Sequence, residues 1–477
     1  MSDKPNILLL MADQFRGDCL GINGHPHVKT PYLDTLALDG VRFQNAYSSS
    51  PTCIAARAAL FTGLGQKNHG RVGYKDFVPW QYPTTLAGEL AQAGYHTQAI
   101  GKMHVYPTRN LCGFHNVELH DGCIHTSRKS TIPYCEHQDV TDDYRYWLKN
   151  EKGIAADVTD TGMECNSWVA RPWIYDEMLH PTNWVVSRSI DFLRRRDRDK
   201  PFFMFSSFVR PHPPFDAPQC YFDMYNQMEL TSPPVGDWAD NETYQTHGRR
   251  YNAFVAPPDP ELQRQSQVGY YACITHLDHQ IGRLIQAMMD HDVLSNTLII
   301  FVSDHGEMLG DHRLVRKSLP YQGSANIPLI IRPQSGWNGS RNTSCNSIVE
   351  LRDIMPTLLD AAGAEMPARL DGVSLFNAIK GGKTRPMLHG EHEYGQRSNH
   401  FVAAETDKYI WFSQTGREQY FDLINDPNEC IDLINSPDRQ ARIDEMRQFL
   451  IAELTGRPEG YADGGQLNMG KPTRVVL

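Results

Sequence analysis

The stretch PTCIAARAALFTG, residues 51–63, sets Cys53 four residues ahead of Arg57. Ala55, Ala56, Ala58, Ala59 and Leu60 favour a helix, and Gly63 is a natural stop. Cys53 then falls in the first turn with Arg57 one turn behind it on the same face. The unpaired N–H groups of a helix start attract anions, so the arrangement places a reactive group beside a seat for a tetrahedral oxyanion. Read alone, the same residues also describe a buried, inert thiol. Two carboxylates stand where strands should end: Asp13 after the apolar run from Asn6, and Asp304 after Leu298 to Val302. With Gln14 and His305 beside them they make an oxygen-rich cation site with one nitrogen, suited to Ca²⁺, with Mg²⁺ or Mn²⁺ as alternatives. Lys102 and His104 in IGKMHV, two residues apart and so on one side of an extended chain, His212 in VRPHPPF, and Lys317 in DHGEMLGDHRLVRK complete a basic pocket.

These residues need elements to hold them. Asn6–Met11 reads as a buried strand, Thr85–Ala93 as a helix closed by Gly94, and His96–Ile100 as a strand. Trp184–Arg196 is an amphipathic helix feeding the strand Phe202–Phe208, and the helical pattern Glu261–Asp290 precedes Leu298–Val302. The alternation predicts an α/β fold, a large mainly parallel sheet sandwiched by helices, with ligands beyond the C-terminal strand ends. From about Pro386, the short strands Phe401–Ala404, Lys408–Phe412 and Gln419–Leu423 predict a small C-terminal antiparallel α+β domain. The domain reading is therefore 1–385 catalytic and 386–477 C-terminal. Residues 106–172 and 219–260 read as long functional loops. In the first of these, Arg109, His115, His120 and Asp121 are candidates for a sugar subsite.

The chain has 477 residues, enough for one large domain and a smaller one, and its net charge of −10 argues against general nucleic-acid binding. Any attraction for an anionic substrate must be local. The first apolar run is too short for a signal-peptide core or a membrane span, so no membrane association is expected and the location is cytoplasmic, or periplasmic if a leader has been removed. Ten cysteines without C-x-x-C pairs indicate neither a zinc ribbon nor a disulfide framework. A homo-oligomer is compatible with the sequence.

NILLLMADQ, CIAAR, GKMH, RPHPPF and SDHGEMLGDH followed by a lysine, in that order and spacing, resemble the type I sulfatases of the alkaline phosphatase superfamily, and YFDLINDPNE resembles that family's C-terminal strand and turn. The resemblance implies that Cys53 is oxidised to formylglycine, whose hydrated aldehyde is the nucleophile: one hydroxyl attacks sulfur and displaces the alcohol, and the second expels sulfate as the aldehyde re-forms. It implies Asp13, Gln14, Asp304 and His305 as cation ligands together with position 53, and Arg57 as support for the hydrate. Lys102 and Lys317 would bridge sulfate oxygens. His212 would protonate the leaving alcohol, and His104 would take the proton as sulfate departs. Ala55 stands where the commoner pattern has proline; C-x-A-x-R is the variant matured by oxygen-independent enzymes, which implies an anaerobic-type maturase as partner and a bacterial host. Asp13-Gln14 in place of paired aspartates, and His305 in place of asparagine, resemble the branch with choline sulfatases and phosphonate monoester hydrolases.

The substrate expected is a sulfate monoester, small or oligosaccharide, with aryl sulfates as surrogates. The alternatives are a phosphonate monoester hydrolase or phosphodiesterase of the same superfamily, or a sulfate-ester binder without turnover if Cys53 stays a thiol.

Overall fold

The protein is described from a computed structural model, over residues 4–122, 131, 133–239, 254–382 and 384–477. Eight strands form the main sheet: β1 (Asn6–Asp13), β2 (Val41–Phe43), β3 (His96–Gly101), β4 (Asn116–Leu119), β5 (Phe202–Pro211), β6 (Thr297–Ser303), β7 (Leu329–Arg332) and β8 (Thr343–Cys345). Their order is β4-β3-β5-β1-β6-β7-β2-β8. The five strands from β4 to β6 are parallel, and β7 pairs antiparallel with both its neighbours. β1 lies between β5 and β6 with all eight residues buried, which is why it reads as a continuous apolar run.

Side chains of β1 alternate between two cores. Leu8 and Leu10 join Trp184, Leu193, Ile274 and Leu277 on one face, whereas Ile7, Leu9 and Met11 join Leu60, Leu90, Ile354 and Leu358 on the other. Helices therefore cover both faces of the sheet, as a parallel sheet requires. The helices Pro181–Arg195 and Pro260–Asp290 supply the first face; Cys53–Thr62, Leu86–Gln92 and Ile354–Ala362 supply the second.

A second sheet is antiparallel, β9 (Leu388–His392), β10 (Asn399–Ala403), β11 (Asp407–Phe412) and β12 (Glu418–Asp422), paired in chain order. Phe401, Ile410 and Phe421 face Tyr47, Met308 and Tyr321 of the main body, and Val402, Tyr409 and Trp411 face the helix Gln440–Leu454. β9 is not among the strands that the sequence predicts: its sequence LHGEH carries two histidines and a glutamate, all buried here, with His389 paired to His400 and Glu391 to Arg457.

Two segments expected as loops contain regular structure. Within 106–172 lie β4 and the helix Asp143–Lys152, which Asp142 caps by accepting from the Arg145 N–H. Within 219–260 lies the helix Gln219–Asn226. The part of that segment from 240 to 253 is outside the described residues, as are 123–130. Among the described residues no helix is long and apolar enough to cross a membrane.

Candidate active site

Asp13 is the last residue of β1, Asp304 follows β6, and Lys102 follows β3, so three strand ends of the parallel region deliver them to one edge of the sheet. Cys53 is the first residue of its helix, as expected, and Gly63 closes that helix with a left-handed φ of 66°. Every residue of that helix is buried. Arg57 lies one turn on: its Nε donates to Asp304 Oδ2 at 3.1 Å, and its Nη1 to the Lys102 carbonyl at 2.7 Å and Ser207 Oγ at 3.0 Å. The guanidinium thus ties the ends of β3, β5 and β6 behind the thiol.

Asp13, Cys53, Asp304 and His305 are all buried, and each offers a ligand atom within 4.8 Å of the others'. His305 Nε2 stands 3.2 Å from Cys53 Sγ, 3.4 Å from Asp13 Oδ1 and 3.7 Å from Asp304 Oδ1. Its Nδ1 is 3.0 Å from the Gly306 carbonyl, to which it donates, leaving the Nε2 lone pair toward the carboxylates. Burial and the charge of Asp13 push Asp304 up to about 6. Asp13 itself is held well below the usual range, because Lys102, His212, His305 and Arg57 together outweigh its burial. Arg57 and Lys102 each pair with one of these two close carboxylates, and burial opposes the charge of His305 while Asp304 and Cys53 raise its pKa; the donor set of two carboxylates and an imidazole fits a divalent ion, which would take the place of that imidazole proton. Gln14, with φ of 70°, turns its backbone N–H to Asp304 Oδ1 at 3.1 Å; its amide nitrogen donates to Glu307, and its Oε1 accepts from Lys317 Nζ at 2.7 Å. Arg57 Nη2 and Thr52 Oγ1 are buried without a hydrogen-bond partner among the described residues, leaving polar capacity beside position 53.

The thiol opens into a cavity of about 340 Å³ that is also lined by Lys102, His104, His212 and Lys317. Lys102 Nζ pairs with Asp13, and its pKa is raised because this contact outweighs burial. Lys317 Nζ is 2.7 Å from His212 Nε2. Burial and the Lys317 charge hold His212 well below its ordinary value. His104 is not on an extended chain: its φ is 55°, fixed by Asp121, whose Oδ1 accepts both the Met103 and His104 N–H groups at 2.8 Å. The ring still faces the cavity, with Nε2 3.6 Å from Asp76 Oδ1. Burial opposes its charge, but contact with Asp76 and Cys53 lifts it to about 9. Burial and Asp13 would raise the Cys53 thiol, but Lys102, Lys317 and His305 bring it well below the ordinary value.

The structure does not bring Arg109, His115 or His120 to the described lining of this cavity. Arg109 is held by Asp143 and the Thr141 carbonyl. His115 bonds Thr97 at the start of β3, opposite the catalytic edge. His120 is buried against Asp142 and Tyr144. Of that group only Asp121 reaches the site. Sequence reasoning missed Tyr74, Glu164, Asn166, Arg316 and Tyr394, which line the cavity, and Glu307, which orients Gln14. Glu307 lies inside a recognised motif and could have been found there; Tyr394 comes from beyond β9 and gives no sequence signal.

A parallel α/β sheet with a buried cation-ligand set, a thiol at a helix start and five cationic or imidazole side chains around one cavity defines a hydrolase of tetrahedral oxyanion esters. Residues 5–364 match the sulfatase family model, and residues 310–455 match that of the N-sulphoglucosamine sulphohydrolase C-terminal region. An arylsulfatase from Clostridium perfringens is 51% identical over 476 residues, covering 99% of each chain. A choline-sulfatase from Rhizobium meliloti is 32% identical, covering 91% of this chain and 83% of its own. The crystal structure of a phosphonate monoester hydrolase from Agrobacterium radiobacter aligns with a TM-score of 0.75 at 25% identity, over 99% of this chain and 100% of that one. The chain belongs to the sulfatase family and is a sulfuric ester hydrolase. The family in general implies a metal ion and a formylglycine.

Proposed function

We propose that the protein hydrolyses the sulfate monoester of a saccharide, using a formylglycine made from Cys53 by an anaerobic-type maturase, with Ca²⁺ held by Asp13, Gln14, Asp304 and His305. The observation that carries this is the convergence of Cys53, Lys102, His104, His212 and Lys317 on one cavity directly beside the buried ligand set. When bound, the ion supplies positive charge that favours an ionised nucleophile and offsets the charge of the ester oxygens. Lys102 and Lys317 enter from different elements and hold sulfate oxygens. His212, hydrogen-bonded to Lys317, is placed to pass a proton to the leaving alcohol through that pair. His104, steadied by Asp76 and by the Asp121 clamp on its backbone, is placed to take up the proton released at position 53 once conversion to formylglycine has removed the Cys53 thiolate that, with Asp76, holds it protonated here. Tyr74 and Tyr394 offer apolar faces, and Asp121, Glu164 and Asn166 offer acceptors, a mixture suited to a hydroxyl-rich ring.

Peptide mass spectrometry after labelling with a hydrazide tests for the aldehyde at position 53. Cys53→Ala is expected to abolish aryl sulfate hydrolysis while leaving Tm and metal content near wild type. Retention of more than a few per cent of the activity would overturn the assignment. The phosphonate monoester reading rests on the Agrobacterium radiobacter structure's likeness. It would displace the sulfatase reading for the preferred ester if the wild type favoured an aryl phosphonate over the matched aryl sulfate in kcat/KM.

A further inference from the structure

A second cavity, of about 450 Å³, adjoins the catalytic one, with Trp238, Tyr321, Phe412, Arg397 and Arg417 in its walls. The two share a partition. The Phe254 ring, which lines the catalytic cavity, is clasped between Arg316 Cζ at 4.2 Å and Arg397 Cζ at 4.6 Å; Arg316 borders the catalytic cavity and Arg397 the second one. Tyr394, three residues before Arg397, packs against Phe254 with ring centroids 5.3 Å apart and also faces the catalytic cavity. Neighbouring residues of the same segments serve both spaces: Ser318 lines one and Leu319 the other, and Arg316 one and Leu314 the other.

Many arginines of this molecule are matched to carboxylates, as in Arg385 with Asp353, Arg442 with Asp407 and Arg447 with Glu418, and a buried one without a carboxylate, Arg71, is satisfied by the Tyr82 hydroxyl and the Val78 and Pro79 carbonyls. Arg397 and Arg417 have no carboxylate within ion-pair distance among the described residues. Arg417 Nη2 reaches only the neutral Tyr321 hydroxyl at 3.3 Å and Gln419 Oε1 at 3.2 Å, with its Cζ stacked 4.3 Å from the Phe412 ring. Arg397 is half-buried, and burial lowers its pKa with only the Tyr394 hydroxyl opposing. A partly desolvated guanidinium without a counter-ion is unfavourable, and its planar fork is matched by the paired oxygens of a sulfate or carboxylate. In a chain of net charge −10, the half-buried Arg397 and the exposed Arg417, both without a carboxylate partner among the described residues and both lining one cavity beside the catalytic one, mark a place for a ligand's negative charge.

We propose that this second cavity is a subsite for a second anionic group, a sulfate or a carboxylate, on the sugar next to the one that carries the scissile ester. The substrate class is then an oligosaccharide with anionic groups on adjacent rings, which Arg397 and Arg417 select and Trp238, Tyr321 and Phe412 flank. This rests on the saccharide sulfatase reading and narrows it.

The test uses three disaccharides with the same scissile sulfate ester, whose second ring carries a sulfate, a carboxylate or neither, alongside an aryl sulfate. Each disaccharide is assayed as a substrate and, at fixed aryl sulfate, as an inhibitor, so one that is not turned over still reports its binding. The wild type is expected to favour one or both anionic disaccharides over the neutral one by at least ten-fold, and the arm that wins identifies the group. Arg417→Ala should remove that preference, Arg417→Lys should restore part of it, and the loss on the anionic disaccharide should exceed the loss on aryl sulfate by a similar factor. Arg397→Ala should act in the same direction. Equal use and equal inhibition by all three disaccharides in the wild type would overturn the subsite while leaving the sulfatase reading intact. Absence of aryl sulfate hydrolysis by protein with a converted Cys53 would instead overturn the sulfatase reading itself.

Discussion

Lys102 and Lys317 reach the cavity from different elements and are held differently. Lys102 is paired with Asp13 at a strand end, whereas Lys317 rests on the neutral Gln14 and His212. On the proposed function, truncating Lys102 removes a preorganised contact to the sulfate; it also leaves Asp13 without its ion-pair partner. Lys102→Ala is therefore expected to cost about 2–4 kcal/mol of transition-state stabilisation, read as the fall in kcat/KM on an aryl sulfate. A matched aryl phosphodiester, whose extra substituent competes for that space, should suffer less; equal losses on both would count against sulfate as the ester for which the site is built. Asp13→Asn and Asp304→Asn should each lose bound metal together with activity, measured by elemental analysis of protein purified without chelator. Full metal occupancy in either variant would exclude that carboxylate as a ligand. These residues were legible because their types and spacing carry the chemistry. The left-handed backbones of Gln14 and His104 were not, since they depend on hydrogen bonds to Asp304 and Asp121 across the fold. Arg109, His115 and His120 lie off the described lining for a related reason: a polar side chain in polar sequence gives no sign of whether it faces a ligand or a protein partner, here Asp143, Thr97 and Asp142 respectively.

At the scale of elements, the catalytic edge depends on how closely the strands approach one another. Gly101 ends β3 with φ of 97°, and a Cβ there would stand 1.9 Å from the Ser207 carbonyl oxygen of β5. Lys102 follows immediately, so any separation of β3 from β5 moves it. Gly94, before β3, has φ of 90°, but a Cβ there would meet nothing within 4 Å. Gly94→Ala is expected to cost only local backbone strain, about 1–2 kcal/mol. Gly101→Ala should cost more in Tm and also lower kcat/KM, because the clash is with backbone. Similar Tm and activity for the two variants would show that the strand ends can part without moving Lys102. The parallel strands were readable as apolar runs because burial on both faces leaves no polar alternation. The helix Asp143–Lys152 was not, since its sequence DYRYWLKNEK is largely polar and its buried face rests on Tyr144 and Leu148.

At the scale of the whole molecule, the antiparallel sheet is bound to the catalytic segment through a buried charge. Lys408 on β11 is fully buried; its Nζ donates to Glu429 Oε1 at 2.7 Å, to Gln322 Oε1 at 2.8 Å and to the Pro320 carbonyl at 2.9 Å. Pro320 and Gln322 follow Lys317 by three and five residues, and Glu429 Oε2 also accepts the Gln322 N–H at 2.6 Å. One lysine therefore fixes both the sheet and the segment that carries Lys317, and Tyr47, Met308 and Tyr321 close the same interface with apolar contacts. Removing one member of such a pair leaves the other charge buried and uncompensated, which costs about 3–5 kcal/mol. Lys408→Met is expected to lower stability by that amount in denaturant unfolding and to reduce kcat/KM on aryl sulfate through displacement of Lys317. Adding Glu429→Gln removes the stranded charge while keeping a carbonyl for the Gln322 N–H, so the double variant should regain part of the lost stability. Activity should return less completely, because the Pro320 carbonyl still lacks its donor. A single variant as stable and as active as the wild type would show that the two parts are held together by their apolar contact alone, and that the C-terminal sheet does not position Lys317.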